Sequence, residues 1–332
     1  MSPRRMVSAA LGGAVALAMM LSAAPARSGE GAGDVAGEVK GLALLQQRDR
    51  QLFDAGWRLT TGNAPWCADA VAKLGFQVLD AAGFEDADAV RRDLGLTGDL
   101  AVGAIAPGSP AERAGIAAGD TLIALNGAPL ESRFPRARPS WQRLIDVTAA
   151  LDRAAAQGAV TLELARTHSA PRTVTVTPTP SCPTRFEVID RGGRASAEGT
   201  RVMLGRDFVG FDYPADEFAA AVAHELAHNL LRHRRTLDQR GRSLGNVRTT
   251  EREADRLMPW LLANAGYDPA AALRFMRRWG PRHDGGLFRN RNHEGWDERA
   301  DWIALELERI APLMAAEGHA DWRTHFVRET LD

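Results

Sequence analysis

Cysteine is nearly absent from this chain. Its 332 residues hold two, Cys67 and Cys182, and neither stands near the small-residue stretch Ala24-Pro25-Ala26, which excludes a lipid-anchored cysteine there. Tyrosine is as scarce, with Tyr213 and Tyr267 alone, so few phenols are on hand as acids or hydrogen-bond donors. Charge of one sign is lacking too: 41 Lys and Arg face 42 Asp and Glu, and no basic excess marks a nucleic-acid partner. Beyond residue 26 no run approaches the ~18 consecutive apolar residues of a membrane-spanning helix.

The one long uncharged stretch lies at the start. Arg4 and Arg5 precede a run from Met6 to Ala26 that closes on small residues, the pattern of a secretory signal peptide cleaved after Ala26. Gly, Glu, Asp and Ala around 29–38 predict a loose leader. Leu42, Leu45, Leu52 and Trp57 then predict an amphipathic helix over Val39–Leu59. The residues that follow suffice for two packed domains.

His224-Glu225-Leu226-Ala227-His228 lies inside a helical pattern. Phe218, Val222, Leu226 and Leu230 recur at i+4 as one apolar stripe, Pro214, Asp216 and Glu217 make a helix start, and Arg232-His233-Arg234-Arg235 ends the run. Positions i and i+4 lie one turn apart, so both imidazoles project away from the stripe on one face and can share a metal ion. Glu225, to one side of that pair, is placed to take a proton from a metal-bound water. Two surface histidines on an ordinary helix remain the alternative for these five residues alone. His233 falls off the ligand face and reads as structural.

A catalytic zinc usually takes three protein ligands and keeps one position for water. Glu251-Arg252-Glu253-Ala254-Asp255 heads another helical pattern that continues in Leu257, Leu261 and Leu262. Glu251 and Asp255 share a face at i and i+4, while Glu253 points elsewhere. A Glu251 carboxylate can complete a His, His, Glu set, and Asp255 can orient one ligand imidazole from behind.

With these two motifs the chain resembles the M48 family of zinc metallopeptidases, the gluzincin group that includes the HtpX- and BepA-like enzymes. Their His-Glu-x-x-His stands here at His224–His228 and their Glu-x-x-Ala-Asp at Glu251–Asp255, with a similar Ala265-Gly266-Tyr267-Asp268-Pro269 turn beyond. The resemblance covers about residues 185–310. It implies one Zn2+ per chain on His224, His228 and Glu251, with Glu225 as general base. It also implies a late His and Arg facing the site, matched by His293 and Arg299 with Glu294 where the family has Pro, as candidate oxyanion donors, with His283 behind them. An edge strand that pairs with substrate is implied at Arg201, Val202, Met203 and Leu204.

Upstream, Leu100–Gly127 looks like a PDZ domain of the bacterial protease type. A strand over Leu100–Ile105, a Pro-Gly-Ser-Pro turn, a short helix stopped by Gly115, a strand over Thr121–Leu125 and an Asn126-Gly127 hairpin turn are all predicted. A helix over Ser140–Ala156 and strands over Val160–Arg166 and Thr173–Thr177 follow. Such domains bind peptide ends at a sheet edge, and Leu94-Gly95-Leu96 resembles the loop that holds the terminal carboxylate. Cys67 and Cys182 bracket this segment and are expected to pair in an oxidising compartment, free buried thiols being the alternative. The bridge would contribute about 4–5 kcal/mol in the chain-entropy model.

The expectation is a multidomain α+β chain. Residues 1–26 form a signal peptide, 27–66 a leader and N-terminal helix, 67–181 a PDZ-like β-rich domain, and 182–332 a mainly helical zincin-type metallopeptidase domain with a small sheet. The expected activity is zinc-dependent cleavage of misfolded or unassembled cell-envelope proteins in the periplasm or outside the cell. Its partners are polypeptide segments, not nucleic acid, and no membrane span persists after signal cleavage. A chaperone-like assembly factor with a latent protease is the second reading.

Overall fold

The computed structural model describes residues 31–136, 141–190, 192–283 and 295–330. The expected signal peptide at 1–26 therefore lies outside the described residues, as does His293. In chain order, a long helix α1 (Gly31–Gly62) leads to strands β1 (Val71–Lys73) and β2 (Phe76–Asp80) and helix α2 (Ala87–Leu94). Strand β3 (Leu100–Ile105), the one-turn α3 (Pro110–Arg113), β4 (Thr121–Leu125), β5 (Ala128–Pro129) and the one-turn α4 (Leu130–Arg133) follow. Helix α5 (Gln142–Ala156), β6 (Val160–Ala165), β7 (Arg172–Val176) and β8 (Thr179–Ser181) complete the β-rich part.

That part is an antiparallel sheet in the order β2-β3-β4-β6-β7, with β5 pairing onto β4. In β6, Val160, Leu162 and Leu164 are buried while Thr161 and Glu163 are not, the period-two signature of a sheet with one covered face. These residues meet Leu100, Val102, Leu122 and Leu125 of the sheet and Val147 and Leu151 of α5 in one apolar core. Asn126 and Gly127 both adopt positive φ, 50° and 78°, as the two-residue turn from β4 into β5 requires. The side-chain Oδ1 of Asn126 also accepts from the Thr161 amide at 2.8 Å.

Strands β9 (Arg185–Ile189), β10 (Ala195–Ala197) and β11 (Arg201–Gly205) open the C-terminal part, followed by helices α6 (Ala215–Leu230), α7 (His233–Arg240), α8 (Leu244–Asn264), α9 (Ala271–His283), α10 (Trp296–Glu317) and the one-turn α11 (Trp322–His325). The small sheet runs β10-β11-β9, antiparallel on one side and parallel on the other. Phe218, Val222 and Leu226 of α6 are buried against Leu257, Met258 and Leu261 of α8 and Ile303 of α10. Ala219, Ala220, Ala223 and Ala227 are buried with them, and these short side chains let neighbouring helices approach α6 closely.

Several fastenings join the two parts. Cys67 and Cys182 form a disulfide with Cα atoms 5.5 Å apart, closing a loop with a sequence separation of 115. Beside it β1 and β8 pair antiparallel, Val71 opposite Ser181. On α5, the Asp152 carboxylate accepts from Lys73 Nζ at 2.7 Å and from Arg185 Nη2 at 2.9 Å, so one acid ties the β-rich part to the start of β9.

Helix α1 packs Leu52, Ala55 and Leu59 into the C-terminal core, and its Asp49 accepts from the Val188 amide of β9 at 3.2 Å. Burial pushes the Asp49 carboxyl up from 3.8 to about 6; the Val188 amide opposes the rise and Glu187 adds to it. An acid with a folded pKa above its unfolded value destabilises the fold once both states are ionised, above about pH 6, and that penalty vanishes below pH 3.8. Asp49→Asn, which keeps an acceptor for Val188, should therefore raise the unfolding free energy by about 1–3 kcal/mol at pH 8 and by far less at pH 4. Denaturant titration at both pH values checks this, and an equal effect at the two would contradict it.

Candidate metal centre

The turn from Tyr213 into α6 carries Asp216 and Glu217 at the positive end of the helix, and the apolar residues of α6 face inward. The i, i+4 spacing leaves His224 and His228 side by side on the remaining face, their Nε2 atoms 3.2 Å apart. Opposite them α8 presents Glu251. Its Oε2 lies 3.6 Å from His224 Nε2 and its Oε1 3.5 Å from His228 Nε2. Three donors on one ion at about 2.0–2.2 Å in a tetrahedral arrangement would stand about 3.3–3.6 Å from one another. The spacing and the nitrogen and oxygen donor types thus suit a divalent cation such as zinc.

Each imidazole is held from behind. His224 Nδ1 lies 3.0 Å from Asp255 Oδ1, within ion-pair range though oblique to the N–H axis. Asp255 is wholly buried and is gripped by Arg299 of α10, whose Nε and Nη2 donate to its two oxygens at 2.5 and 2.8 Å. Behind His228 stands His233, Nδ1 to Nδ1 at 2.9 Å, and His233 Nε2 lies 3.0 Å from Glu253 Oε2.

Burial and the surrounding charges polarise the cluster. Burial would lower the His224 pKa, but the Asp255 and Glu251 carboxylates overcome it and hold the imidazole up at about 10. Burial pushes His228 down to about 3, with Glu251 opposing and His224 and His233 adding to the fall. Glu251 is pushed upward by burial and pulled further down by His228 and His224, so it stays ionised well below the usual carboxylate range. Burial raises Glu225 to about 7, opposed by His224 and reinforced by Glu251. A carboxylate in this position can exchange a proton near neutrality.

The structure brings together His224, Glu225, His228, Glu251 and Asp255. It differs at three places. Arg299 grips both oxygens of Asp255 and lies over the Trp279 ring, the geometry of a clamp on a carboxylate rather than of a donor aimed at a reacting oxygen. Arg201, Val202, Met203 and Leu204 form the middle strand of their sheet, with β10 on one side and β9 on the other, so their strand is not an edge. The end strands of that sheet are β10, which packs beside α6, and β9, whose Val188 amide and Phe186 carbonyl are taken by Asp49 and Gln77. Leu94, Gly95 and Leu96 end α2: the Gly95 and Leu96 amides donate to the Arg92 and Arg91 carbonyls, with Gly95 left-handed at φ 63°. Amides so committed cannot receive a carboxylate. In the β-rich part the end strands are β2, which pairs on one side with β3 and is flanked by α5, and β7.

His233 and Glu253 are the residues that sequence reasoning missed. A protein-family model for a PDZ domain matches residues 102–166, the stretch from β3 to just past β6. No curated protein matches the chain. Among the described residues no helix is long and apolar enough to cross a membrane.

The place of Arg299 generates a test. Removing the guanidinium leaves the Asp255 charge buried without its main countercharge, which typically costs about 3–5 kcal/mol. Arg299→Met should lose stability on that scale, and adding Asp255→Asn should recover part of it, both measured by denaturant titration. A donor that served only a reacting oxygen would leave stability unchanged.

Proposed function

We propose that this chain is an exported zinc-dependent endopeptidase whose PDZ domain receives polypeptide segments. The observation that carries the reading is the triad of donors 3.2–3.6 Å apart on α6 and α8, with Glu225 beside it. The paired motifs that resemble the M48 family support it, as does the disulfide, which fits an oxidising compartment such as the periplasm.

His224 and His228 through Nε2, and Glu251 through its carboxylate, would hold the metal. When bound there, zinc supplies an acidified water and polarises a carbonyl oxygen. Glu225 accepts the proton of the attacking water at its carboxylate and delivers it to the departing amine nitrogen. Asp255, fixed by Arg299, orients His224. Strand β10 offers unpaired backbone groups to an extended segment, and β2 with α5 offers a second such edge in the PDZ domain. Edge pairing recognises main chain more than sequence, which suits misfolded or unassembled proteins as substrates.

Glu225→Gln removes the base and leaves the three donors in place. Purified protein should cleave casein in a chelator-sensitive way, and Glu225→Gln should cut the rate by at least about 100-fold while still binding one zinc. Zinc binding without cleavage by the parent protein would contradict the endopeptidase reading and favour a chaperone-like factor with a latent site.

A further inference from the structure

The two imidazoles are supported unequally. His224 rests directly on a carboxylate, whereas His228 rests on a second imidazole, His233, which is 1% exposed. His233 reaches that place because Arg232, between α6 and α7, takes a left-handed conformation at φ 57° that few non-glycine residues adopt. The turn folds the first residue of α7 back beneath the last turns of α6.

The direction of the hydrogen bonds follows from the far end of the chain. Glu253 Oε1 accepts from Arg328 Nε at 2.6 Å and from the Glu329 amide at 2.7 Å, and Oε2 accepts from Arg328 Nη2 at 2.9 Å. Surrounded by donors, Glu253 is an acceptor only, so His233 Nε2 must carry a hydrogen toward it. The Nδ1 of neutral His233 is then bare and accepts a hydrogen from His228 Nδ1. That leaves the Nε2 lone pair of His228 pointing at His224 and Glu251, the tautomer a metal ligand needs. The reverse tautomer would place a hydrogen where the metal belongs. The tail itself is fastened: Glu329 is held by Arg252 and Arg256, Arg256 Nη2 donates to the Val327 carbonyl at 3.2 Å, and Phe326 is buried.

We propose that His233 and Glu253 are positioning residues of the metal site, and that the C-terminal tail, through Arg328 and the Glu329 amide, sets the affinity of His228 for its metal. This rests on the reading that His224, His228 and Glu251 bind zinc. The tail then belongs to the metal centre as a third layer, although Arg328 is 100 residues from His228.

The test is zinc affinity of the full chain by competition with a chromophoric chelator, together with the visible spectrum of the cobalt(II) form. His233→Phe keeps an aromatic ring but neither accepts nor donates, and should weaken zinc about 10–100-fold and shift the cobalt bands. His233→Gln can accept with its carbonyl and donate with its amide, and should stay within a few-fold of the parent. Arg328→Leu, which removes hydrogen bonds to Glu253 and to the Leu231 carbonyl but none to an imidazole, should weaken zinc in the same direction by about 10-fold, and it carries the test if His233→Phe does not fold. Parent binding of one zinc with His233→Phe and Arg328→Leu both at parental affinity overturns this inference alone, as does equal loss in His233→Gln and His233→Phe. Failure of the parent to bind zinc at all overturns the metal reading and the inference with it.

Discussion

The close packing of α6 against α8 is what assembles the candidate metal site of this molecule. Neither helix makes a site alone: α6 contributes two imidazoles on one face, and α8 contributes the carboxylate that faces them. The inner face of α6 is largely alanine, so α8 can approach near enough for the side chain of Glu251 to reach both Nε2 atoms. A bulkier residue at Ala220, Ala223 or Ala227 would separate the helices and open the triad, because a packed interior has no slack to absorb added methylenes. Stability and the proposed metal site therefore meet in the same contact.

The two parts of the chain are joined so that the sheet near the site feels the PDZ domain. Gln77 of β2 donates to the Phe186 carbonyl of β9 at 2.7 Å, and Asp152 of α5 holds Arg185 at the head of the same strand. Both β2, an end strand of the PDZ sheet, and α5 beside it thus grip β9, which pairs in parallel register with β11, which in turn pairs with β10. The disulfide and the β1 and β8 ribbon fix the base of this connection. The PDZ domain is a braced insert, not a unit on a loose tether.

Much of this was legible in the residues themselves. The period of Phe218, Val222 and Leu226 located α6 and its free face, and the Glu251 and Asp255 spacing located the opposing acids, because helical periodicity fixes direction as well as structure. The PDZ strands followed from turn chemistry at Pro107 to Pro110 and at Asn126-Gly127. Residue type carried the strand character of Arg201–Leu204 but not how many neighbours the strand has, and the edge position implied by the resemblance falls instead on an inner strand. Leu94-Gly95-Leu96 failed for a related reason. An apolar, glycine, apolar triplet also ends a helix, and Asp86 at the cap with Arg91 and Arg92 in the last turn carried that signal. The role of His233 had no local signature, since it depends on a left-handed Arg232 and on a carboxylate braced by residues at the end of the chain.

The central claim is that two imidazoles of α6 and one carboxylate of α8 hold a single zinc ion. Zinc-edge X-ray absorption of protein loaded with one equivalent tests it most directly. The account predicts a first shell of two imidazole nitrogens with oxygens, all at about 2.0–2.2 Å and without sulfur, and loss of one imidazole in His228→Ala. A shell of oxygen alone, or a spectrum that His228→Ala leaves unchanged, would contradict it.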